Sequence, residues 1–222
     1  MRTLYHLPLD PDCRLIRILL GEKRLEVALK TEQVWERRED FLALNPAGEV
    51  PVLLEEDGTS ISGAPVIAEY LDEAYPEPAL IGANPLDRAE VRRLLQWFTV
   101  KFAREVSRNL IEEKITKRFL KMGQPNASAI RAGLANIHYH MDYIAWLNER
   151  RRWLGGDDFS LADIAAAAHL SAVDYLGDVP WDKHAGAKDW YARVKSRPSM
   201  RAILADHVAG ANPPAHYADL DF

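Results

Sequence analysis

The sequence has very little cysteine: Cys13 is the only one in 222 residues. One thiol excludes an internal disulfide and a zinc site built from several thiolates, and it is typical of a protein from a reducing compartment. We therefore expect a cytoplasmic protein without a bound metal.

Positive charge is also in short supply, since 28 Lys and Arg residues face 33 Asp and Glu residues, for a net charge of -5. Proteins that bind nucleic acids gain most of their affinity by neutralising phosphates. The charge balance therefore predicts no nucleic-acid partner.

Long hydrophobic runs are missing as well. The longest apolar run extends from Ile164 to Val173 and is interrupted by His169, whereas a membrane-spanning helix needs roughly 18 apolar residues. The acidic Asp10 and Asp12 come too early for the apolar region of a signal peptide to form. We expect neither a membrane span nor an export signal.

The pattern of the first 75 residues predicts a small α/β domain that begins as a β-α-β unit. Apolar residues at helical spacing follow the first strand, and Asp57-Gly58 is typical of a hairpin turn. The predicted elements are a strand at 2–6, a helix at 13–23, a strand at 26–30, a helix at 35–44, strands at 50–54 and 60–62, and a helix at 65–74.

The rest of the chain predicts a different architecture. Residues 76–85 hold three prolines and no apolar periodicity, which is typical of a linker between domains. Residues 86–206 then predict an all-helical domain, in which Asn84 is a candidate N-cap and Pro85 the first helical residue. Residues 207–222 lack periodicity and predict a C-terminal tail.

The clearest helix start is Ser160-Leu-Ala-Asp163. A Ser N-cap with an acidic residue three positions later forms a capping box, in which each side chain accepts a hydrogen bond from the other residue's backbone. The helix that follows is rich in alanine and almost uncharged, so we expect it at the centre of the second domain.

Several stretches, taken together and in this order, resemble the glutathione transferase superfamily. They are Asn45-Pro-Ala-Gly-Glu-Val-Pro51-Val-Leu, Val66-Ile-Ala-Glu-Tyr-Leu71, Phe159-Ser-Leu-Ala-Asp-Ile164, and Trp190 with Arg197-Pro198. The resemblance spans nearly the whole chain. It implies an α/β thioredoxin-like N-terminal domain followed by an all-α C-terminal domain.

The resemblance also implies where glutathione would bind. In the family, a cis proline turns the backbone of the preceding residue towards the cysteinyl part of glutathione, and Val50-Pro51 matches this pair. Only an X-Pro bond adopts the cis form at low cost, so we expect a cis bond here.

The other positions of the family's site depart from its pattern. Asp10 stands where serine-type relatives have the activating hydroxyl, and His6 stands where tyrosine-type relatives have theirs. Gly63 and Ala64 replace the acidic and hydroxyl pair that holds the γ-glutamyl group. A carboxylate at position 10 repels a thiolate and donates no hydrogen bond, while a protonated His6 would serve as a substitute donor. We therefore expect a vestigial site with weak or absent glutathione binding.

Cys13 occupies the position of the resolving thiol in the Cys-Pro-x-Cys redox motif, whose first cysteine is here Asp10. A helix N-terminus lowers the pKa of a thiol, whereas neighbouring Asp10 and Asp12 raise it. A small buried residue is the favoured interpretation. No catalytic residue is expected among these degenerate positions.

A narrower resemblance concerns an alphaproteobacterial subgroup of the superfamily. It is carried by Asp174-Tyr-Leu-Gly-Asp-Val-Pro-Trp-Asp182, Lys188-Asp-Trp-Tyr-Ala-Arg-Val-Lys-Ser-Arg-Pro198 and Pro213-Pro-Ala-His-Tyr-Ala-Asp-Leu-Asp-Phe222. It implies a non-catalytic homodimer that binds filaments of the tubulin-like division polymer FtsZ, acts at the division site and regulates cell constriction. The alternative is an active glutathione S-transferase or glutathione-dependent isomerase with an atypical site, and only then would glutathione be a cofactor.

Two features are candidates for the partner contact. Trp35 lies in a polar stretch and either covers the sheet or forms an exposed anchor for a partner. The tail ends in Asp219, Leu220, Asp221 and Phe222, and it is either loose or a peptide ligand for another protein.

Overall fold

The N-terminal part of the chain is a four-stranded mixed sheet between helices. A computed structural model describes residues 1–220. The sheet order is β2-β1-β3-β4, with β1 parallel to β2 and antiparallel to β3, which is antiparallel to β4. The elements are β1 (Thr3–His6), α1 (Pro11–Glu22), β2 (Ala28–Thr31), α2 (Glu39–Leu44), β3 (Val52–Leu54), β4 (Ser60–Ser62) and α3 (Ala64–Ala74). The predicted β-α-β start and hairpin are confirmed.

Alternating residues of the strands point to the two faces of this sheet. Leu4 and Leu53 belong to the main hydrophobic core together with residues of α1 and α3. Tyr5 and Val52 pack on the other face against Phe41 of α2. This alternation is the period of two that a half-buried strand requires.

The prediction of one continuous helix over residues 35–44 is wrong in one respect. The structure has a short 3-10 turn at Val34–Glu36, then a break, and then α2. Arg37 causes the break because it adopts a left-handed backbone with φ of 48°, which a continuing right-handed helix excludes.

The second part of the chain is helical. Its elements are α4 (Pro85–Gln96), a π-helical stretch (Trp97–Ser107), α5 (Arg108–Ile111), a second π-helical stretch (Glu112–Thr116), α6 (Lys117–Leu120), α7 (Ala127–Asn148), α8 (Leu161–Tyr175), α9 (Ala185–Lys195) and α10 (Arg201–Leu204). Asn84 caps α4 by accepting from the amides of Leu86 and Asp87, as predicted.

Helix α8 forms the centre of the second domain, and all of its residues are buried. The predicted capping box is present at Ser160 and Asp163. The Oδ1 atom of Asp163 also accepts from the amide of Leu154 and from Nε1 of Trp190, each at 2.9 Å. One buried carboxylate thus joins the start of α8 to the preceding loop and to α9.

The two domains meet where α1 packs against α8. The guanidinium of Arg14, which is fully buried, donates to the hydroxyl oxygens of Ser171 in α8 and Tyr217 near the C-terminus, each at 3.0 Å. Tyr217 is also fully buried. The segment up to Tyr217 is therefore packed, which differs from the loose tail considered above.

Within residues 1–220, no helix combines the length and the apolar character that crossing a membrane requires.

Candidate functional site

The loop between β1 and α1 ends at Asp10, which is the N-cap of α1. Oδ1 of Asp10 accepts from the amide of Cys13 at 2.8 Å. Burial raises the pKa of Asp10, while the hydrogen bonds from Cys13 lower it. The backbone donors that could stabilise a thiolate at this helix end therefore already serve the protein's own carboxylate.

His6, at the end of β1, is 4% exposed. Burial, followed by the positive charge of Arg17, lowers the pKa of His6 to about 4. Its Nδ1 atom is buried without a hydrogen-bond partner in the part of the chain that the structure describes. A neutral, enclosed imidazole argues against a protonated His6 as the thiolate donor.

Cys13 is fully buried, and its Sγ accepts from the amide of Leu7 at 3.4 Å. Burial and then the charge of Asp10 raise the pKa of the Cys13 thiol well above its ordinary value. A buried thiol of this kind is a poor nucleophile, which supports the structural interpretation of this residue.

The Val50-Pro51 pair, which the sequence predicts to be the backbone part of a glutathione site, has the expected conformation. The Val50-Pro51 bond is cis, as expected. Among residues 1–220, neither the amide N–H nor the carbonyl of Val50 has a hydrogen-bond partner. These two groups remain available to pair with an extended ligand in the manner of an added strand.

The two positions that the sequence predicts for binding a γ-glutamyl group carry no hydrogen-bonding side chain. Gly63 is the N-cap of α3 with φ of 87° and provides no side-chain cap, and Ala64 is 2% exposed. The space beside Gly63 is open, since a Cβ there would meet no atom within 4 Å. Room for an acidic side chain thus exists, but its positive φ disfavours residues other than glycine.

A buried polar chain lies behind Asp12, and sequence reasoning did not find it. Oδ1 of Asp12 and Nε2 of His169 are buried 3.8 Å apart, and neither atom has a hydrogen-bond partner among residues 1–220. Nδ1 of His169 lies 2.9 Å from the hydroxyl of Ser107. The one available signal was His169 itself, an imidazole that directly follows a run of four alanines in α8.

Burial between the two domains shifts the pKa values of Asp12 and His169. Burial and then the charge of Asp10 raise the pKa of Asp12 to about 7. Burial and then the charge of Arg108 lower the pKa of His169 to about 3. Asp10 and Asp12 thus place two carboxyl groups at the start of α1, and negative charge on either of them disfavours a thiolate there.

No group of three or more His, Cys, Asp or Glu residues within 1–220 is arranged to hold a metal ion.

Three of the candidate partner residues belong to the described part of the chain, and these three lie at the surface. Trp35 is 43% exposed, and its neighbour Val34 packs against the sheet cluster of Tyr5 and Phe41 instead. Trp35 therefore does not cover the sheet. Asp219 and Leu220 are exposed, and the other two candidates, Asp221 and Phe222, lie outside the described residues.

The fold and this modified site together define the class of protein. The sequence matches the family models described as glutathione S-transferase N-terminal domain over residues 4–79 and glutathione S-transferase C-terminal domain over residues 133–198. The chain therefore belongs to the glutathione S-transferase superfamily, which confirms the fold inferred from the sequence.

Three known proteins are similar to this chain over its full length. The chain is 49% identical to FtsZ-localized protein A of Caulobacter vibrioides (strain NA1000 / CB15N) over 224 residues, covering 100% of this chain and 98% of the relative. A solved glutathione S-transferase from Rhodospirillum rubrum F11 is 55% identical with a TM-score of 0.98, covering 100% of both chains. The solved structure of FzlA from C. crescentus is 49% identical with a TM-score of 0.96, covering 100% of this chain and 99% of that one.

Proposed function

We propose that this chain is a non-catalytic protein of the glutathione transferase fold that binds FtsZ filaments and regulates bacterial cell constriction. The observation that carries the proposal is the 49% identity, over the full chain, to a protein named for its localisation with FtsZ. Its place of action would be the cytoplasm at the division site.

The site geometry supports a role without glutathione chemistry. Asp10 binds the amide at the start of α1, and Gly63 and Ala64 offer no side-chain hydrogen bonds to a γ-glutamyl group. Each missing charge-assisted contact costs ~1.5 to 3 kcal/mol of binding free energy. Two or three such losses lower the affinity by orders of magnitude.

A homodimer fits the surface of the helical domain. Helix α7 and the first π-helical stretch (Trp97–Ser107) carry a group of partly exposed aromatic rings. Between ring centroids, Trp97 lies 4.5 Å from Tyr143, and Tyr143 lies 6.0 Å from Trp146. Tyr139 and Trp146 are 58% and 47% exposed. A contiguous apolar patch of this kind is typical of a protein interface.

A dimer would present two copies of each filament contact. We assign that contact to Trp35 and to residues 219–222, which are exposed as far as residue 220. Two linked contacts on one polymer gain affinity through effective concentration, even where each contact alone is weak.

The test of the contact is co-sedimentation with assembled FtsZ. Trp35→Ala, and a chain that ends at Ala218, should each remove most of the protein from the polymer pellet. Leu86→Ala is the matched control, because Leu86 is an apolar side chain that is 82% exposed, and it should pellet like the unchanged chain. Undiminished pelleting of both contact variants would refute this choice of contact residues.

The enzyme alternative has one specific observation in its favour: the backbone groups of Val50 remain unpaired beside a cis Pro51. Calorimetric titration with reduced glutathione at millimolar concentration separates the two functions. We expect no binding heat from the unchanged chain, because Gly63 and Ala64 offer no side-chain hydrogen bonds to a γ-glutamyl group. A dissociation constant below ~1 mM for the unchanged chain, about -4 kcal/mol of standard free energy, would favour the enzyme.

A further inference from the structure

The segment before the last residues of the chain is held by a set of specific contacts. The hydroxyl of Tyr217 donates to the carbonyl of Ile203 at 3.0 Å and accepts from the guanidinium of Arg14 at 3.0 Å. Its ring packs edge-on against Tyr175, with the centroids 5.2 Å apart. Residues from α1, α8 and α10 thus meet at one side chain of this segment.

A second set of contacts holds the neighbouring residue. Nε2 of His216 lies 2.9 Å from Oδ1 of Asp174, which is fully buried and also accepts from Nε1 of Trp181 at 2.7 Å. The ammonium of Lys195 donates to the carbonyl oxygen of His216 at 2.8 Å. The side chain and the backbone of His216 are therefore both fixed by the helical domain.

The position of His216 shows that its contact does more than fill the core. Its side chain is 37% exposed, whereas Asp174 is fully buried. The hydrogen bonds of its side chain and of its carbonyl fix the point from which the chain continues towards Asp219.

Arg14 extends this arrangement to the first domain. Besides Tyr217, it donates from Nε to the carbonyl of Pro8 at 2.8 Å and from a terminal nitrogen to Ser171 at 3.0 Å. Pro8 lies in the loop where relatives carry their thiolate activator. The loop that has lost its catalytic group therefore shares one buried guanidinium with the C-terminal segment.

We infer that residues 214–219 form a preordered platform that holds the described start of the proposed partner contact, at Asp219 and Leu220, in place, with His216 and Tyr217 as its positioning residues. This inference rests on the proposed function. Ordering a free segment costs ~1–2 kcal/mol for each residue's backbone. A segment that is already ordered avoids that loss at the moment of binding.

The experiment compares His216→Ala with His216→Gln in the full chain. Alanine removes the contact to Asp174, whereas the amide nitrogen of glutamine is able to donate to the same carboxylate. We expect amide hydrogen exchange of residues 214–219 to accelerate and the affinity for FtsZ polymer to fall about tenfold in the alanine variant. The glutamine variant should recover most of the slow amide exchange and most of the affinity for FtsZ polymer. Tyr217→Phe, which keeps the ring and removes the hydroxyl, should act in the same direction.

A double-variant comparison distinguishes positioning from a general loss of stability. If His216 acts through the residues that follow it, His216→Ala should have no further effect on FtsZ binding in a chain that ends at Ala218. Faster exchange in His216→Ala with unchanged FtsZ affinity would overturn the inference. If His216→Ala lowered FtsZ affinity by the same factor with and without residues 219–222, the inference would also be overturned.

Failure of the proposed function has a different signature. If the unchanged chain does not pellet with FtsZ polymer at all, the proposed function fails and the inference falls with it. If the unchanged chain pellets and the His216 and Tyr217 variants pellet equally well, only the inference is overturned.

Discussion

Asp10 shows, at the scale of single residues, how one substitution changes the chemistry of a helix end. Its carboxylate accepts from the amide of Cys13 and places negative charge beside the only thiol of the chain. Asp12 adds a second carboxyl group that titrates near neutrality. The same helix end that binds an anionic sulfur in other proteins is here satisfied internally.

Cys13 should therefore be unreactive in the folded protein. Burial and Asp10 both raise the pKa of its thiol, so little thiolate exists at pH 8. Titration with a thiol reagent should give less than about one tenth of the rate found for the same chain unfolded in urea. Rapid stoichiometric reaction of the native protein would contradict the buried, protonated state of Cys13.

His6 should make the protein less stable in acid. Its pKa is about 4 in the folded protein and 6.5 for the unperturbed group, so the unfolded chain binds the proton more tightly. The stabilising effect of a neutral His6 is complete above pH 6.5 and is lost as the pH falls from 6.5 towards 4. The loss by pH 4.5 should be on the order of 2 kcal/mol.

Urea unfolding at pH 7 and pH 4.5 measures this effect. His6→Leu should lose less free energy of unfolding between the two pH values than the unchanged chain. His207→Leu is the matched control at an exposed histidine, and it should retain the full loss. An identical loss in His6→Leu would show that another group is responsible.

The altered positions of the predicted glutathione site could be located from the sequence, because each position stands at a fixed number of residues from a recognisable motif residue. Gly63 and Ala64 were placed by Ile67 and Leu71, and Asp10 by Pro11. The neutrality of His6 and the Asp12–His169 contact were not predictable, because both depend on burial between segments far apart in the chain.

At the scale of elements, the helix starts with strong capping chemistry were predicted correctly. Asn84 and Ser160 cap α4 and α8 as expected, because their short polar side chains bind nearby amides through local geometry alone. The π-helical stretches within residues 97–116 were not predicted, because apolar spacing over a few turns does not distinguish them from α-helix. The left-handed backbone of Arg37 was also not predicted, because no residue near it in the sequence indicates a positive φ.

Ser160→Ala should lower the free energy of unfolding by about 1 kcal/mol, because the start of α8 loses its side-chain cap while burying the same apolar surface. Urea unfolding is the measurement, and Asp157→Ala at an exposed position of the same loop is the control, with a change below ~0.5 kcal/mol. Equal stability of the Ser160→Ala and unchanged chains would show that the capping box contributes nothing.

At the scale of the whole molecule, α1 and α8 make the two domains one folded unit. Arg14 is fully buried between them and binds groups from the first domain, from α8 and from the C-terminal segment. Asp206 balances its charge and also pairs with Arg17 at 2.7 Å. The position of the C-terminal segment up to Tyr217 therefore depends on the domain interface.

Arg14→Met should lower the free energy of unfolding by about 3 kcal/mol, since it leaves buried polar partners without their donor. Arg131→Met, at an exposed position of α7, should change it by less than ~0.5 kcal/mol. Chemical unfolding with tryptophan fluorescence gives both values. A loss below about 1 kcal/mol for Arg14→Met would mean that the interface is held by apolar packing alone.

The proposed function requires that the unchanged chain binds FtsZ polymer. The measurement is sedimentation of the full-length protein with FtsZ assembled in GTP, compared with unassembled FtsZ in GDP and with the protein alone. We expect saturable pelleting with assembled FtsZ and none in the two controls. Absence of the protein from the polymer pellet would contradict the proposed function.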